Sequence, residues 1–453
     1  MRVAVVGGGI AGLAAAWELT GGPQPAEVTV LEPGPLGGRI RTETFLGHPV
    51  DTAADAFIAR VPEGVQLARE LGLESELVAP AARQALLWIG GRLRPLPDGL
   101  VLGAPARLRP LLASGILSPA GVLRAGLDLV LPRSRWPEDV AVARLVGGRF
   151  GRQVAERLVD PLVGGIHAGS TENLSADSTA PQLARAARGH RSLLLGLRAL
   201  PPPPDGPLFL APRAGMGRLV ERLVEALTER GVHFEPVAAD AVRGGKGDPV
   251  VVDPLGTFDA AVLATPARVT AKLVNNCAPD VASALRGIRS SSVVLATLAY
   301  RRSDLAVPDG ASGWLVARNE GRLMTACSFG SAKWPHWSDP GTMVLRVSAG
   351  RAGDERALQL SEGALIDHLQ GEVAAALATT ATPFHWRVSQ WREAFPQYEV
   401  GHRARVMRIE SALPGPLPRV ALAGASLRGS GIPACVASGR QAALRVTAPA
   451  SGT

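Results

Sequence analysis

The chain has 453 residues, 46% of them hydrophobic, with a formal net charge of +8 and three cysteines. That length and apolar share exclude a disordered chain and predict two or three domains around large cores. Cys277, Cys327 and Cys435 are far apart and odd in number, which excludes a disulfide framework and a CxxC metal site and predicts a reducing compartment, the cytoplasm. The basic balance favours an anionic partner. No basic stripe interleaved with aromatics appears, so nucleic acid is not expected. No apolar run has the length of a membrane span. The first strand follows the initiating Met so closely that no signal peptide is expected.

In chain order, Val3–Val6 reads as a buried strand. It runs into Gly7-Gly8-Gly9-Ile10-Ala11-Gly12 and then a helix through Leu13–Leu19. Glycines at this spacing let the backbone turn sharply and approach a pyrophosphate, which sits on free N–H groups at the helix N-terminus. A second strand, Val28–Leu31, ends in Glu32. It lies about twenty residues past the last glycine, where a carboxylate meets ribose hydroxyls. Leu36-Gly37-Gly38-Arg39-Ile40-Arg41-Thr42 brings more glycine backbone near the ligand, and Arg39 offers a fork of donors for phosphate. The fold class read from this is α/β, with a Rossmann-like dinucleotide-binding sheet.

Phe45–Asp51 followed by Thr52–Phe57 reads as a strand pair leading back to the cofactor, Val65–Leu77 as an amphipathic helix, and Ala85–Arg94 as a hairpin turning at Gly90-Gly91. Residues 101–131 carry leucines, prolines and arginines, with Asp128 the only acid. Such helices suit a membrane surface, a pocket rimmed by arginines, or an ordinary helical domain with solvated arginines. Val142–Leu158 reads as one helix ending in a glycine-rich turn, and Pro201–Pro204 as a stiff linker. A helix over Arg218–Arg230 precedes strands at Gly231–Phe234, Ala239–Val242 and Phe258–Pro266. Strands at Val293–Tyr300, Gly313–Val316, Leu323–Ser328 and Met343–Ser348 precede a helix at Leu358–Leu377 and a strand through Trp386 and Trp391. The chain closes with a strand at Val420–Gly424, a glycine-rich loop over Ala425–Cys435 and a helix from Ala437 to Val446.

The glycine pair of residues 37–38 resembles the GG motif of FAD-dependent oxidases. Further runs narrow the resemblance: Gly165-Ile-His-Ala-Gly169, Gly189-His-Arg-Ser-Leu-Leu-Leu-Gly196, Lys333-Trp-Pro-His336, Trp391–His402 and Gly429-Ser-Gly-Ile-Pro-Ala-Cys435. In that order they are similar to the protoporphyrinogen and coproporphyrinogen III oxidases of haem synthesis, over nearly the whole chain. The resemblance implies a discontinuous FAD domain over 1–60, 205–270 and 390–453. It also implies a mixed-sheet substrate domain over 61–95 and 271–389 and a helical domain over 96–204 that contacts membrane in some members. It implies noncovalent FAD, dioxygen as oxidant and hydrogen peroxide as product, with no metal. Carried over by position, the FAD contacts are Gly7, Gly8, Gly9, Ile10, Ala11, Gly12, Glu32, Pro33, Gly38, Arg39, Ala53, Ala54, Asp55, Ala56, Ala239, Trp391, Gly431, Ile432 and Pro433. Peripheral contact with a membrane or with a later haem-pathway enzyme belongs to the same expectation; oligomeric state stays open.

The sequence departs from the family where Ala53-Ala54 replaces a Gly-Pro, His167 a Tyr or Phe, and Ala434 an Asp. Ala85 stands where the mitochondrial-type members carry a propionate-binding arginine, while Arg94-Pro-Leu-Pro-Asp-Gly99 is similar to the coproporphyrinogen-oxidising members. Coproporphyrinogen III is therefore the expected substrate and protoporphyrinogen IX the alternative; a flavin amine oxidase and a noncatalytic FAD- or porphyrin-binding protein are more distant ones. Arginines between 85 and 135 are expected to meet the propionates. Aromatising a porphyrinogen removes six hydrogens, three two-electron steps at one flavin, so no Ser-His-Asp or paired-carboxylate constellation is needed. His167 is the candidate proton acceptor.

Overall fold

A computed structural model of the chain describes residues 1–22, 24–202, 204–245 and 248–448. The architecture is α/β. Val3, Ala4 and Val5 are fully buried, and a strand buried on both faces belongs inside a parallel sheet. Arg2–Val6 is flanked by Glu27–Leu31 and Ala260–Leu263, with His233–Glu235 and Val420–Leu422 at the edges. All pairings in this five-stranded sheet are parallel. The helix Ile10–Gly21 leaves the first strand and packs on the C-terminal helix Ile432–Thr447. Contact there is backbone to backbone: a Cβ at Gly439 would lie 2.0 Å from the Ala11 carbonyl oxygen.

The second sheet has seven strands in the order His385–Pro396, Ser290–Arg301, Thr342–Ala349, Met324–Phe329, Ala311–Val316, Gln84–Ile89, Arg92–Pro95. Only Ala311–Val316 and Gln84–Ile89 pair in parallel. Two-residue periodicity divides its faces. Leu345, Val347 and Ala349 join Leu365, Leu369 and Val373 of the helix Glu362–Leu377 in one core, while Arg346, Ser348 and Gly350 face the other way, into a cavity. Between residues 104 and 197 a separate core of helices gathers around Leu145, Phe150, Leu158 and Leu193. Among the described residues no helix is long and apolar enough to cross a membrane.

Several expected boundaries differ. The helix expected to reach Leu77 is Pro62–Glu70, stopped by Gly72 at φ +74°; Leu77–Val78 is a short strand. The single helix expected over Val142–Leu158 breaks at Gly151, φ +89°. After the break the chain winds as a π-helix, Ala155–Gly164, with Pro161 inside, so the expected glycine-rich turn is helical until Ala168, φ +44°. A π-helix widens the hydrogen-bond ring, and such turns cluster at functional sites. The strand expected at Ala239–Val242 is only Val242–Arg243, and the last helix starts at Ile432. Helices at Ala267–Leu273, Pro279–Arg286 and His402–Ala412 were not expected. Pro203 of the expected linker lies outside the described residues.

The hairpin Thr42–Phe45 and His48–Asp51 ends in Asp51, which is 1% exposed. Its Oδ1 accepts from Thr42 Oγ1 (2.5 Å) and from the Met216 N–H (2.8 Å). Burial raises its pKa to about 6. A carboxyl raised in the folded state is protonated there while the unfolded chain has already ionised. Stability therefore falls as pH rises from about 4 to about 6 and stays lower above that. Asp51→Asn keeps the accepting oxygen and is expected to abolish this fall. Above pH ~6 it should gain about 1–3 kcal/mol, at ~1.4 kcal/mol per pKa unit. Urea unfolding of both proteins at acidic and neutral pH checks this; parallel pH profiles would contradict it.

Candidate active site

Where the two sheets and the π-helix meet there is one cavity of about 630 Å³. At one end lies the glycine fingerprint. Gly7 has φ +109°, and a Cβ there would sit 2.9 Å from the Ala264 carbonyl oxygen, so only glycine makes this turn. Gly9 has open space where its Cβ would be. The Glu32 carboxylate accepts from the Gly8 N–H (2.9 Å) and the Gly34 N–H (3.0 Å), which fixes it at the tip of its strand. Arg39 also lines the cavity and donates to the Glu393 carbonyl (3.3 Å); burial lowers its pKa.

The strand His385–Pro396 reaches the cavity through an irregularity. Its register against Ser290–Arg301 shifts between Ser291 and Val293, and Glu393 sits at φ +48°. A bulge of this kind bends a strand and re-aims its side chains. Here Trp391 joins the wall, its indole N–H donating to the Thr52 carbonyl (2.8 Å), with the Arg41 guanidinium 5.8 Å from its ring. At the far end the wall is Asp160, Pro161 and Gly164 of the π-helix and Gly165 just past it, with Val316, Thr325, Ser348 and Arg351.

Of the cofactor contacts expected from sequence, Gly7, Gly9, Ile10, Ala11, Glu32, Gly38, Arg39, Ala53, Ala54, Trp391 and Ile432 line this cavity. Gly8 and Gly12 lie behind it: a Cβ at Gly8 would meet Leu36 at 2.6 Å, and one at Gly12 the Gly7 carbonyl oxygen at 1.9 Å. They allow the close approach without facing the space. Pro33, Asp55, Ala56, Ala239, Gly431 and Pro433 do not line it. Asp55 is held elsewhere, accepting from Lys333 Nζ (2.8 Å) and Trp334 Nε1 (3.1 Å). Burial alone would raise its pKa, but Lys333 and Arg346 bring it down to about 2. Pro433 packs toward Gly64, and Ala56 and Ala239 pack against cores. Pro33 and Gly431 are exposed.

His167 stands outside the lining. Its carbonyl accepts from Gln397, its Nδ1 is buried without a partner, and burial lowers its pKa to about 4. Its imidazole is therefore neutral near neutral pH. The arginines of 85–135 also miss the cavity. Arg124 closes carbonyls at 147–149 and Arg133 caps the Arg188 carbonyl. The cavity's arginines are Arg39, Arg346 and Arg351. Neither of the last two belongs to a motif: strand alternation turns Arg346 inward, whereas Arg351 lies past the strand's end and reaches the cavity after the turn at Gly350. Neither tyrosine lines the cavity: Tyr300 is buried in the mixed-sheet core and Tyr398 donates to the Ala425 carbonyl. Cys435 does line it, and burial raises its thiol to about 12, which keeps it protonated and disfavours a thioether to a cofactor. Among the described residues no His, Cys, Asp or Glu cluster could hold a metal.

The donor set suits a dinucleotide: unfilled glycine backbone at a helix N-terminus, a carboxylate for ribose and a half-buried guanidinium for phosphate. A model of the flavin containing amine oxidoreductase family matches residues 10–447. The chain is 32% identical to the coproporphyrinogen III oxidase of Bacillus subtilis, over 97% of each chain. It is also 32% identical to the protoporphyrinogen oxidase of Bos taurus, over 98% of each. A crystal structure from an Exiguobacterium species, described as a protoporphyrinogen oxidase, superposes with a TM-score of 0.87 at 28% identity, covering 98% of this chain and 97% of that one.

Proposed function

Because this chain belongs to the flavin containing amine oxidoreductase family, we infer that it is an FAD-dependent porphyrinogen oxidase of haem biosynthesis, acting on coproporphyrinogen III. FAD, when bound, supplies the two-electron redox chemistry. The chain's residues do the rest. Glycine N–H groups and the start of the helix Ile10–Gly21 receive the pyrophosphate, Glu32 the ribose, and Arg39 a phosphate. Val293, Leu295, Val316 and Phe395 offer apolar wall to a flat macrocycle and exclude water. Loss of six hydrogens is balanced by three molecules of dioxygen going to hydrogen peroxide. No side chain has to act as a base, since the ring N–H protons can pass to solvent or move by tautomerisation.

The observation that carries the reading is a single cavity joining the dinucleotide cradle to two buried arginines, Arg346 and Arg351. Anionic propionates are what such arginines complement, and coproporphyrinogen III carries four of them to protoporphyrinogen IX's two. Identity discriminates little: relatives named coproporphyrinogen III oxidase are 27% to 37% identical and the protoporphyrinogen oxidase of Bos taurus is 32% identical. The same reading divides the chain into FAD, substrate and helical domains at the boundaries given above. It also locates the enzyme in the cytoplasm, in keeping with three separate free thiols.

The test is aerobic turnover of the two porphyrinogens, read by porphyrin fluorescence and peroxide. We expect both products, with kcat/KM higher for coproporphyrinogen III. A preference for protoporphyrinogen IX overturns the substrate, and FAD-loaded protein that turns over neither overturns the oxidase.

A further inference from the structure

Arg351 is 8% exposed and lines the cavity, yet its guanidinium makes no hydrogen bond and no ion pair among the described residues. Every other charged side chain of the wall is engaged through its charged group: Glu32 with two N–H groups, Arg39 with the Glu393 carbonyl, Arg346 with the Ala53 carbonyl, Glu393 with Arg268, and Asp160 with Thr171. A buried, unpaired charge costs several kcal/mol; burial lowers the Arg351 pKa and Arg318 adds like-charge repulsion, which Asp160 and Asp354 offset only in part.

The backbone holds this residue still. Arg351 and Asp354 exchange backbone hydrogen bonds (3.1 and 2.9 Å), and the Ala352 N–H donates to the Ala168 carbonyl (2.8 Å). Gly350 at φ +90° turns the chain out of the strand, where a Cβ would be 2.9 Å from the Ser292 carbonyl oxygen. Beside it, Arg318 donates to the Gly169 carbonyl (2.9 Å) and lies 3.8 Å from Asp160. Asp160 in turn accepts from the Thr171 N–H and hydroxyl (3.0 and 2.7 Å). Arg351, Arg318 and Arg356 stand against Asp160 and Asp354, and since Arg356 pairs with Asp354 this corner keeps one positive charge in excess.

Resting on the porphyrinogen reading, we propose that Arg351 anchors the substrate, its guanidinium taking one propionate carboxylate at the cavity end formed by the π-helix. The fork of donors matches a carboxylate in two parallel hydrogen bonds. The dinucleotide's phosphates have their own partners at the glycine fingerprint and Arg39, on other elements of the wall. Asp160 competes weakly with the propionate for the two guanidiniums.

The experiment compares flavin-loaded wild type, Arg351→Gln, Arg351→Lys and Asp160→Asn. Coproporphyrin III, the air-stable product, and its tetramethyl ester are titrated into each, with KM and kcat measured for coproporphyrinogen III and FAD affinity measured on apoprotein. Wild type should bind the acid more tightly than the ester. Arg351→Gln should weaken acid binding ~10- to 100-fold, the range of a hydrogen bond to a charged group. Ester binding and FAD affinity should not move, and KM should rise far more than kcat falls. Arg351→Lys should recover part of the loss. Equal weakening of acid and ester, an FAD affinity that falls in step, or unchanged acid binding overturns the anchor. If Arg351→Gln fails to fold, Asp160→Asn decides. It keeps the oxygen that Thr171 needs and should tighten acid binding alone; unchanged or weaker acid binding overturns the proposal. Wild type that neither binds coproporphyrin III nor oxidises its porphyrinogen is failure of the porphyrinogen reading itself.

Discussion

Alanine at Gly12 is expected to yield protein stripped of flavin. The Cβ would lie 1.9 Å from the Gly7 carbonyl oxygen and 3.1 Å from the Gly7 carbonyl carbon. The turn cannot yield, because Gly7 is itself pressed against Ala264. Nor can the helix retreat, since Gly439 of the C-terminal helix touches its Ala11 carbonyl from the other side. The N–H groups of the helix start must therefore leave the position where they meet a pyrophosphate. Overpacking of this kind costs ~1–3 kcal/mol or more. With the loss of binding geometry added, FAD affinity should fall on the order of 100-fold, about 2.7 kcal/mol. Flavin absorbance per mole of purified protein reads it directly. Gly9→Ala is the control, because its Cβ meets nothing: that protein should fold normally. A Gly12→Ala enzyme with full flavin content would show that the strand–helix contact is softer than this geometry requires.

Removing either partner of the Asp128–Arg149 pair should destabilise the helical core by ~3–5 kcal/mol, the cost of leaving a buried charge alone. Their side chains are 0% and 3% exposed. Arg149 donates to Asp128 Oδ1 (2.5 Å), to the Asp128, Pro132 and Arg191 carbonyls (3.0, 2.8 and 2.7 Å) and to Ser134 Oγ (3.0 Å). The other carboxylate oxygen accepts from Ser192 Oγ (2.6 Å) and the Leu194 N–H (2.8 Å). One ion pair thus ties three segments distant in sequence. Asp128→Ala and Arg149→Ala should each lower the urea midpoint and open residues 108–198 to proteolysis. Asp128→Leu with Arg149→Met should lose less than the sum of the single changes, since no charge is stranded. Additive losses would mean that the carbonyl contacts, not the pair, supply the stability.

Asp128 also illustrates where local pattern stops being informative. It is the only acid in an arginine-rich stretch whose arginines suit a membrane face, a pocket rim or an ordinary solvated surface alike. The fold spends the acid on Arg149, 21 residues on, and spends Arg124 and Arg133 on helix-end carbonyls. The dinucleotide cradle is different. Gly7, Gly9, Gly38, Glu32 and Arg39 were picked out in the sequence and line the cavity, because their chemistry depends on short-range backbone conformation. Asp55 looked like one of them by position, yet Lys333 and Trp334, nearly 280 residues away, claim its carboxylate.

The residues by themselves determined the strand–turn–helix start, since glycine spacing and a run of valines leave the chain few other conformations. They also determined the alternation that puts Arg346 and Ser348 opposite Leu345 and Val347. Tertiary structure alone decided which of those faces becomes core, through the helix Glu362–Leu377 that covers one of them. It alone made the bulge that aims Trp391, and the π-helix that closes the cavity around Pro161. The reason is physical. Backbone preference is set within a few residues, whereas whether a buried arginine like Arg351 is paired or left open to a ligand depends on every element packed around it.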